Sequence, residues 1–274
     1  MTADSHIVAA VQLASGSIVQ ANLIEVEKQV VKAANAGASL IVLPENFGFM
    51  GNTCSDIPKI REQPGSGPLQ DFLAQLAARL GVWIVGGTVP LFGDHPDKAR
   101  AACLVYDERG ACVSRYDKLH LFDVQLAENG EKYEESASFE HGERSTVVDS
   151  PVGRLGLAIC YDLRFPELFR ELVEAGAEII ALPAAFTAVT GKAHWETLVR
   201  ARAIENLVYL IAAGQGGFHV NGRETHGHSM IVDPWGTILA EQARGAGVVT
   251  ARIDHERLCA TRRSFPCLEH RRLR

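Results

Sequence analysis

The sequence predicts an α/β fold in which many strands are interleaved with a few amphipathic helices. Two short, continuously apolar runs end at a proline region, LIVLPE at 40–45 and AEIIALPA at 177–184. Such runs are typical of strands that are buried on both faces. Each run follows a helical pattern and a small Ala/Gly turn, NAGA at 35–38 and EAGA at 174–177. We therefore expect two similar α/β halves that share one core, in an α/β sandwich.

The first half opens with a strand-like run, HIVAAVQL at 6–13. A helix is predicted next, because apolar residues recur at helical spacing and mark one face. These residues are Leu23, Val26, Val30, Val31 and Ala34. After the buried strand at 40–45 come the strand-like runs VWIVGGTVP (82–90), AACLVY (101–106) and ACVSRY (111–116). The turn-forming residues DERG between the last two predict a hairpin.

The second half continues with a strand at 153–160 and a helix at 166–176, in which Pro166 suits the first turn. A second hairpin is predicted at 226–242, where HGHSMIVD and GTILAEQ flank Pro234, Trp235 and Gly236. Strand and helix periodicity both vanish in three segments, which we expect to be mobile or irregular loops of the kind that often cover sites. They are Gly51–Gly67, Phe92–Lys98 and Leu121–Glu143. Composition does not shift abruptly, so residues 1–274 are expected to form a single domain.

The composition favours a small-molecule partner. The chain has 274 residues, 47% hydrophobic and 22% charged, with a formal net charge of -6. It contains no long Lys/Arg block, which argues against a nucleic-acid or membrane partner. The N-terminal sequence MTADSHIVAAVQL lacks a basic segment before its short apolar run, so we expect neither a signal peptide nor a membrane span, and a cytoplasmic location. Six cysteines without a CxxC pair fit a reducing compartment and predict no zinc site.

Three residues suit acyl-transfer chemistry, although each has a structural alternative. Cys160 lies between a predicted strand and helix, where a turn can expose a thiol beside backbone N–H groups, but a cysteine there is commonly a core residue. Glu45 ends a buried strand, where a carboxylate is costly unless it is paired or functional, and it suits a general base or a loop salt bridge. Lys118 lies among aromatic and apolar residues. Its ammonium group is suited to stabilising an oxyanion, and the alternative is that it extends into solvent from the end of a strand. Position alone leaves these alternatives open.

Longer phrases around these residues add a resemblance. They are LPENF at 43–47, YDKLHLFD at 116–123 and GLAICYDLRFPELFR at 156–170. Together, and in this order, they resemble the nitrilase superfamily of carbon–nitrogen hydrolases. Two further phrases, AHWETLVRARAIEN at 193–206 and GHSMIVDPWG at 227–236, extend the resemblance over nearly the whole chain.

The resemblance implies a four-layer αββα sandwich and a cysteine-dependent hydrolase that needs no metal or cofactor. It implies Cys160 as nucleophile, Glu45 as general base and Lys118 as oxyanion stabiliser. The backbone N–H of Tyr161 is expected to aid Lys118, since the residue after a nucleophile at a sharp turn faces the same pocket. The family's second glutamate matches Glu135, although the adjacent Glu134 leaves the assignment open by one residue. The basic tail LEHRRLR at 268–274 is interpreted as an oligomer contact, since family members commonly form homodimers or higher homo-oligomers.

Within the superfamily, the sequence is most similar to amidases that act on ω-amides of dicarboxylic acids and on deaminated glutathione, and we favour the second branch. Arg164 matches the arginine that binds a substrate carboxylate in those relatives, while a local ion pair with Asp162 or Glu167 is the alternative. The loop around Phe186 and Thr187 is expected to supply further donors to the substrate.

Other functions are less well supported by the sequence. An N-carbamoyl compound, a simple aliphatic amide or a nitrile are alternative substrates, and a non-catalytic binding module is the alternative from another class. His226 and His228 alternate on one predicted strand, but no Cys or carboxylate cluster accompanies them, so we interpret them as structural rather than metal-binding. GxSxG, P-loop and GxGxxG motifs do not occur, which argues against a serine hydrolase or a nucleotide-binding protein.

Overall fold

The computed structural model describes residues 5–126, 130–220 and 222–273, apart from the side chains of Ser5, Cys54 and Ser55. The α-helices in these ranges are α1 (Val19–Asn35), α2 (Pro68–Leu80), α3 (Pro166–Glu174), α4 (Ala188–Asn206) and α5 (His255–Ser264). The strands are β1 (Ser5–Gln12), β2 (Ala38–Val42), β3 (Trp83–Val85), β4 (Val89–Phe92), β5 (Ala99–Tyr106), β6 (Cys112–Asp117), β7 (Asp123–Gln125), β8 (Lys132–Glu134), β9 (Phe139–Glu140), β10 (Val147–Ser150), β11 (Gly153–Leu157), β12 (Ile179–Ala184), β13 (Tyr209–Gly214), β14 (Gly216–Phe218), β15 (Glu224–His226), β16 (Ser229–Val232), β17 (Ile238–Gln242) and β18 (Gly247–Asp254).

Two sheets form the middle of the fold. In the first, the strand order is β18-β1-β2-β3-β5-β4, and β6 and β9 also pair with β5. In the second, the order is β10-β11-β12-β13-β16-β17. Strands β1, β2 and β3 pair in parallel, as do β11, β12 and β13. The carboxyl ends of these parallel strands meet at one edge of the sandwich, which is where ligands bind in open α/β sheets.

Successive residues of β1 face two different cores, one on each side of the first sheet. Val8 and Ala10 belong to the core between the two sheets, whereas Ala9 and Val11 belong to the core beneath α1 and α2. Successive strand residues point to opposite faces, so the first sheet is covered on both sides. Helices α3 and α4 cover the outer face of the second sheet through buried apolar residues such as Phe169. The layers therefore follow the order α-β-β-α, and the predicted fold class is confirmed.

The two predicted halves each contain a helix, a glycine turn and a buried parallel strand. Gly37 follows α1 and Gly176 follows α3, both with positive φ (87° and 93°), and β2 and β12 come next. Pro166 occupies the first turn of α3, as expected. The predicted hairpins are also present, as the antiparallel pairs β5–β6 and β16–β17.

One strand-like run differs from its prediction. The segment 82–90 is two strands, β3 and β4, because the chain turns at Gly86 and Gly87. Gly87 has φ +52°, and a Cβ atom there would lie 2.1 Å from the carbonyl oxygen of Pro44. Only glycine lets the backbone pass this close to the segment that follows β2.

The three segments expected to be irregular contain only short elements. A 3₁₀-helix spans Cys54–Ile60, and the hairpin β7–β8, a 3₁₀-helix at Glu135–Ala137 and β9 lie within 121–143. Residues 127–129 of that segment lie outside the described residues. The single domain over 1–274 stays a prediction, and residues 1–4 of it are not described. In the part of the chain that is described, no helix is long and apolar enough to cross a membrane.

Candidate active site

Cys160 occupies a sharp turn between the second sheet and helix α3. It begins a short 3₁₀-helix, Cys160–Arg164, three residues after β11 ends at Leu157. Its φ of +50° is a left-handed conformation that costs a non-glycine residue energy. The residue is 8% exposed and lines a pocket at the carboxyl edge of the parallel strands. The structure thus places the predicted nucleophile on a strained turn with its thiol facing the pocket.

Glu45 enters the same pocket from the first sheet. It follows β2 and is 5% exposed. Its carbonyl oxygen accepts a 2.9 Å hydrogen bond from Nε2 of Gln215, which follows β13 of the second sheet. The next residue, Asn46, has φ +58°, and its N–H donates to Oγ1 of Thr88 at 2.8 Å. Hydrogen bonds from both sides therefore fix the backbone that carries the Glu45 carboxylate.

Lys118 is buried between two carboxylates. Its Nζ donates to Oε1 of Glu45 at 2.8 Å and to both carboxylate oxygens of Glu135 at 2.8 and 2.9 Å. Burial by itself lowers the pKa of Lys118, but the charges of Glu135 and Glu45 outweigh it and raise that pKa well above its usual value. The Lys118 side chain is therefore protonated, and its three N–H groups match the three carboxylate oxygens around it.

The choice between Glu135 and Glu134 follows from their positions. Besides Lys118, the Glu135 carboxylate accepts a 2.6 Å bond from the backbone N–H of Phe122, and burial raises its pKa. Glu134 has a side chain that is 60% exposed and pairs with Lys132. Only Glu135 of the two reaches the buried cluster, which we define as Glu45, Lys118 and Glu135.

The thiol of Cys160 is held in its protonated form. Burial is the largest influence and, together with the charge of Glu45, raises the pKa of the thiol well above its ordinary value. Lys118 and a hydrogen bond from the backbone N–H of Ala185 act in the opposite direction. Since Glu45 hydrogen-bonds the thiol side chain, it is placed to remove the proton as the sulfur attacks a carbonyl carbon.

A buried network behind the site was not predicted from the sequence. The Asp162 carboxylate is fully buried and accepts hydrogen bonds from the hydroxyl of Tyr116 (2.7 Å) and the N–H of Ile159 (2.8 Å). Its other oxygen lies 2.7 Å from Nδ1 of His120, whose ring stacks on Phe165 at 3.6 Å. Tyr116 and His120 flank Lys118 in YDKLHLFD, but this spacing does not indicate that both contact Asp162. Asp162 thereby ties the lysine segment to the cysteine turn.

The pocket has about 630 Å³ of empty space, including its open mouth. All the predicted site residues line it: Glu45, Lys118, Glu135, Cys160, Tyr161, Arg164, Phe186 and Thr187. Aromatic rings form much of the wall, since Phe122 contacts both Tyr133 and Tyr161 at 5.0 Å between ring centroids. The space suits a small molecule of several heavy atoms beside the thiol.

Arg164 faces the pocket rather than its own turn. Its guanidinium carbon lies 5.5 Å from the ring centroid of Phe186 and 5.9 Å from that of Tyr161, and Nη1 lies 3.3 Å from Nδ1 of His194. In the described part of the chain, no carboxylate lies within ion-pair distance of Arg164. The described contacts of Arg164 thus include no ion pair with Asp162 or Glu167, and the carboxylate of Asp162 is occupied by the network described above.

Phe186 and Thr187 shape the opposite wall. Phe186 packs against Trp195 of α4 with 4.8 Å between centroids. Oγ1 of Thr187 caps α4 by accepting from the N–H of Thr190 at 3.2 Å, so its hydroxyl is partly committed to the helix. A second arginine, Arg223, also lines the pocket and was missed by the sequence analysis.

His226 and His228 lie side by side, with stacked rings 4.4 Å apart. Burial, followed by the charge of His228, lowers the pKa of His226 to about 4. Among the described residues, no group of three His, Cys, Asp or Glu side chains is arranged to hold a metal ion. The carboxylate of Glu241 is the hydrogen-bond partner of His228.

The chain is similar to known carbon–nitrogen hydrolases over nearly its whole length. Residues 7–263 match the family model described as carbon-nitrogen hydrolase. The deaminated glutathione amidase of Yersinia enterocolitica is 44% identical over 266 residues, which cover 97% of this chain and 92% of that protein. The human deaminated glutathione amidase is 39% identical over 269 residues, with coverage of 97% and 82%.

A solved structure supports the same relationship. Nit3 of Saccharomyces cerevisiae, described as a member of branch 10 of the nitrilase superfamily, superposes with a TM-score of 0.87 at 32% identity. The match covers 98% of this chain and 97% of Nit3. Fold and sequence thus point to one family.

Proposed function

This chain belongs to the carbon–nitrogen hydrolase family, in which it is an amidase, and we propose that its substrate is deaminated glutathione. In this compound an oxo group replaces the α-amino group of the γ-glutamyl residue. Hydrolysis of its γ-amide bond yields 2-oxoglutarate and cysteinylglycine. The Lys118 ammonium held between Glu45 and Glu135 beside the Cys160 thiol supports amide hydrolysis. The observation that carries the choice of substrate is the guanidinium of Arg164 at the pocket wall.

The first half of the reaction forms a thioester. Glu45 accepts the thiol proton as the sulfur of Cys160 attacks the amide carbonyl carbon, and negative charge develops on the carbonyl oxygen. Lys118, together with the backbone N–H of Tyr161, stabilises that charge. Glu45 then delivers the proton to the amide nitrogen, the C–N bond breaks, and cysteinylglycine leaves as the amine.

The second half restores the enzyme. Water enters the place vacated by the amine, and Glu45 removes its proton as the oxygen attacks the thioester carbonyl. The C–S bond breaks, the sulfur takes the proton back, and 2-oxoglutarate is released. Lys118 stabilises the second oxyanion in the same way, so one buried cluster serves both steps.

Charge on the pocket wall supports a substrate with carboxylates. Arg164 lies beside Phe186 and Tyr161 at the pocket surface, and a guanidinium binds a carboxylate through two parallel hydrogen bonds. The names of the bacterial and human relatives give the same substrate, although each name speaks only for its own protein.

A substrate panel tests the proposal. Deaminated glutathione, 2-oxoglutaramate, an N-carbamoyl amino acid and a simple aliphatic amide are compared at equal concentration. Release of 2-oxoglutarate is followed for the first two compounds, and release of amine or ammonia for all four. We expect the highest kcat/KM with deaminated glutathione and no turnover by Cys160→Ala. A higher kcat/KM with 2-oxoglutaramate would favour an ω-amidase, and full activity of Cys160→Ala would contradict the mechanism.

We also propose that the protein acts in the cytoplasm as a homodimer or larger homo-oligomer on this small-molecule substrate. Exposed aromatic side chains support self-association, since Trp235 is 60% and Phe265 50% exposed and their rings meet edge to face. Light scattering on the purified protein tests the assembly, because a monomer mass would contradict it. Cell fractionation tests the location.

A further inference from the structure

A second guanidinium lies in the pocket, on an element that carries none of the catalytic residues. Arg223 lies in the connection from β14 to β15, outside the two main sheets. Its guanidinium carbon is 5.2 Å from the ring centroid of Tyr133, and its Nη2 donates a 2.6 Å hydrogen bond to the carbonyl oxygen of Ala185. This ring and this carbonyl group help to hold the side chain at the pocket wall.

The pocket carries more positive than negative charge. Its described lining includes the carboxylates of Glu45 and Glu135 and the cations of Lys118, Arg164 and Arg223. Lys118 already contacts both carboxylates. A substrate with two carboxylates would place a net negative charge between the arginines, which Coulomb attraction favours in a partly enclosed site.

The two arginines stand at different parts of the aromatic wall. Arg164 lies over Tyr161, whereas Arg223 lies over Tyr133, and the ring of Phe122 contacts both tyrosines. In the proposed substrate, one carboxylate belongs to the acyl part and the other to the leaving cysteinylglycine. The acyl part is fixed at its reacting carbon by Cys160 and at its carboxylate by Arg164. The leaving amine then carries the carboxylate that remains for the other arginine.

We propose that Arg223 is a specificity-determining residue that binds the carboxylate of the leaving amine. This inference rests on the proposed function, and it predicts which amides the enzyme prefers. An amide whose leaving group ends in a carboxylate gains a charge-assisted hydrogen bond, whereas an amide that releases ammonia does not. Such a bond changes kcat/KM on the order of 10- to 100-fold.

The test compares three substrates that share the 2-oxoglutaryl group: deaminated glutathione, the same compound with its C-terminal carboxylate converted to an amide, and 2-oxoglutaramate. Wild-type protein is compared with Arg223→Gln, Arg223→Lys and Arg109→Gln. The last is the matched control, because the Arg109 side chain is 86% exposed in the β5–β6 turn. KM and kcat are determined separately for each combination of protein and substrate.

We expect wild type to prefer deaminated glutathione over its C-terminal amide by on the order of 10-fold or more. Arg223→Gln should abolish this preference, mainly through a higher KM for deaminated glutathione, because the variant no longer binds the free carboxylate. Arg223→Lys should keep part of the preference, and Arg109→Gln all of it. The preference of the wild type for the free carboxylate needs no variant, so the inference stays testable even where a substitution harms folding.

Two results would overturn the inference. Equal losses on all three substrates would mean that Arg223 acts by holding the Ala185 carbonyl, and an unchanged preference in Arg223→Gln would mean that it does not contact the substrate. Failure of the proposed function looks different, because wild type would then not hydrolyse deaminated glutathione at all. That outcome would remove the inference as well.

Discussion

The hydroxyl group of Tyr116 donates a 2.7 Å hydrogen bond to the buried carboxylate of Asp162. Tyr116 precedes Lys118 by two residues, and Asp162 follows Cys160 by two residues. The bond therefore joins the end of β6 in the first sheet to the cysteine turn of the second. Because the proposed catalytic groups come from different sheets, their spacing depends on links of this kind.

Replacing Tyr116 by phenylalanine removes this link without changing the shape of the side chain. We expect the free energy of unfolding to fall by about 2–3 kcal/mol, because the buried Asp162 carboxylate and the N–H of Leu119 each lose a partner, and kcat to fall as well. Tyr209→Phe is the control, since its hydroxyl donates to the carbonyl of Asp254 at 3.2 Å, away from the pocket. Urea denaturation measures the free energy of unfolding of both variants, and steady-state kinetics measures their kcat. Equal kcat values would show that the bond stabilises the fold only.

Glu135 and Glu134 offer a comparison of adjacent residues. Glu135→Gln removes a charge that raises the pKa of Lys118 and weakens two of its hydrogen bonds. We expect kcat to fall on the order of 100-fold, as for the loss of one oxyanion-stabilising group. Glu134→Gln changes an exposed ion pair and should alter kcat by less than about twofold. Similar kcat values for the two variants would exclude Glu135 from the mechanism.

The charge of Glu45 should be visible in the ionisation of Cys160. Burial and Glu45 raise the pKa of the thiol, so Glu45→Gln removes one cause and the pKa should fall. The variant should therefore be alkylated by iodoacetamide at a lower pH than wild type. Its kcat/KM should nevertheless drop by on the order of 10²- to 10⁴-fold, because the general base is lost.

Mass spectrometry of the Cys160 peptide as a function of pH measures this shift. The exposed Cys259 serves as an internal reference in the same samples. An alkylation midpoint that is unchanged or moves to higher pH in Glu45→Gln would contradict the placement of the carboxylate beside the thiol. It would leave the fold assignment untouched.

Glycine is required at Gly87 for a steric reason that Gly81 does not share. Alanine at either position must adopt a positive φ, which costs about 1–2 kcal/mol. At Gly81 the new methyl group meets nothing within 4 Å, whereas at Gly87 it lies 2.1 Å from the carbonyl oxygen of Pro44. We expect Gly87→Ala to lower the free energy of unfolding by at least about 3 kcal/mol and to reduce kcat, since Pro44 precedes Glu45.

Gly81→Ala should cost about 1 kcal/mol and retain full kcat. Thermal denaturation and kinetics of the two variants provide the measurement. A Gly87→Ala protein with wild-type stability would show that Pro44 moves aside without cost.

Local patterns predicted the parts of the fold that local chemistry determines. The run 40–45 is apolar enough to be a buried strand wherever it lies, and Pro166 favours the first turn of a helix in any context. The turn at Gly86 and Gly87 was missed although a Gly-Gly pair is a local turn signal. The strict need for glycine at 87 was out of reach, because it depends on the distant carbonyl of Pro44. The helix α2 was also missed, since it begins directly after the glycine- and proline-rich residues 64–67, which were expected to belong to a loop.

In the site, too, features that depend on local sequence were predicted and features that depend on distant contacts were not. The phrases around Glu45, Lys118 and Cys160 indicated, through resemblance, three residues that the structure brings to one pocket, although position alone left the role of each open. Asp162 and Arg223 were out of reach, because one acts through a tyrosine 46 residues away and the other joins the pocket only when β14 and β15 form. Pairing across the fold cannot be deduced from spacing along one segment.

The pairing of β1 with β18 determines when this protein can fold during its synthesis. Residues 5–12 at the start of the chain form an antiparallel ladder with residues 247–254. A ribosome must therefore translate almost the whole sequence before the first sheet gains its last strand. Until then β1, with its core residues Val8 and Val11, has an open edge that another nascent chain can join. Chaperones that shield this edge should raise the yield of active enzyme.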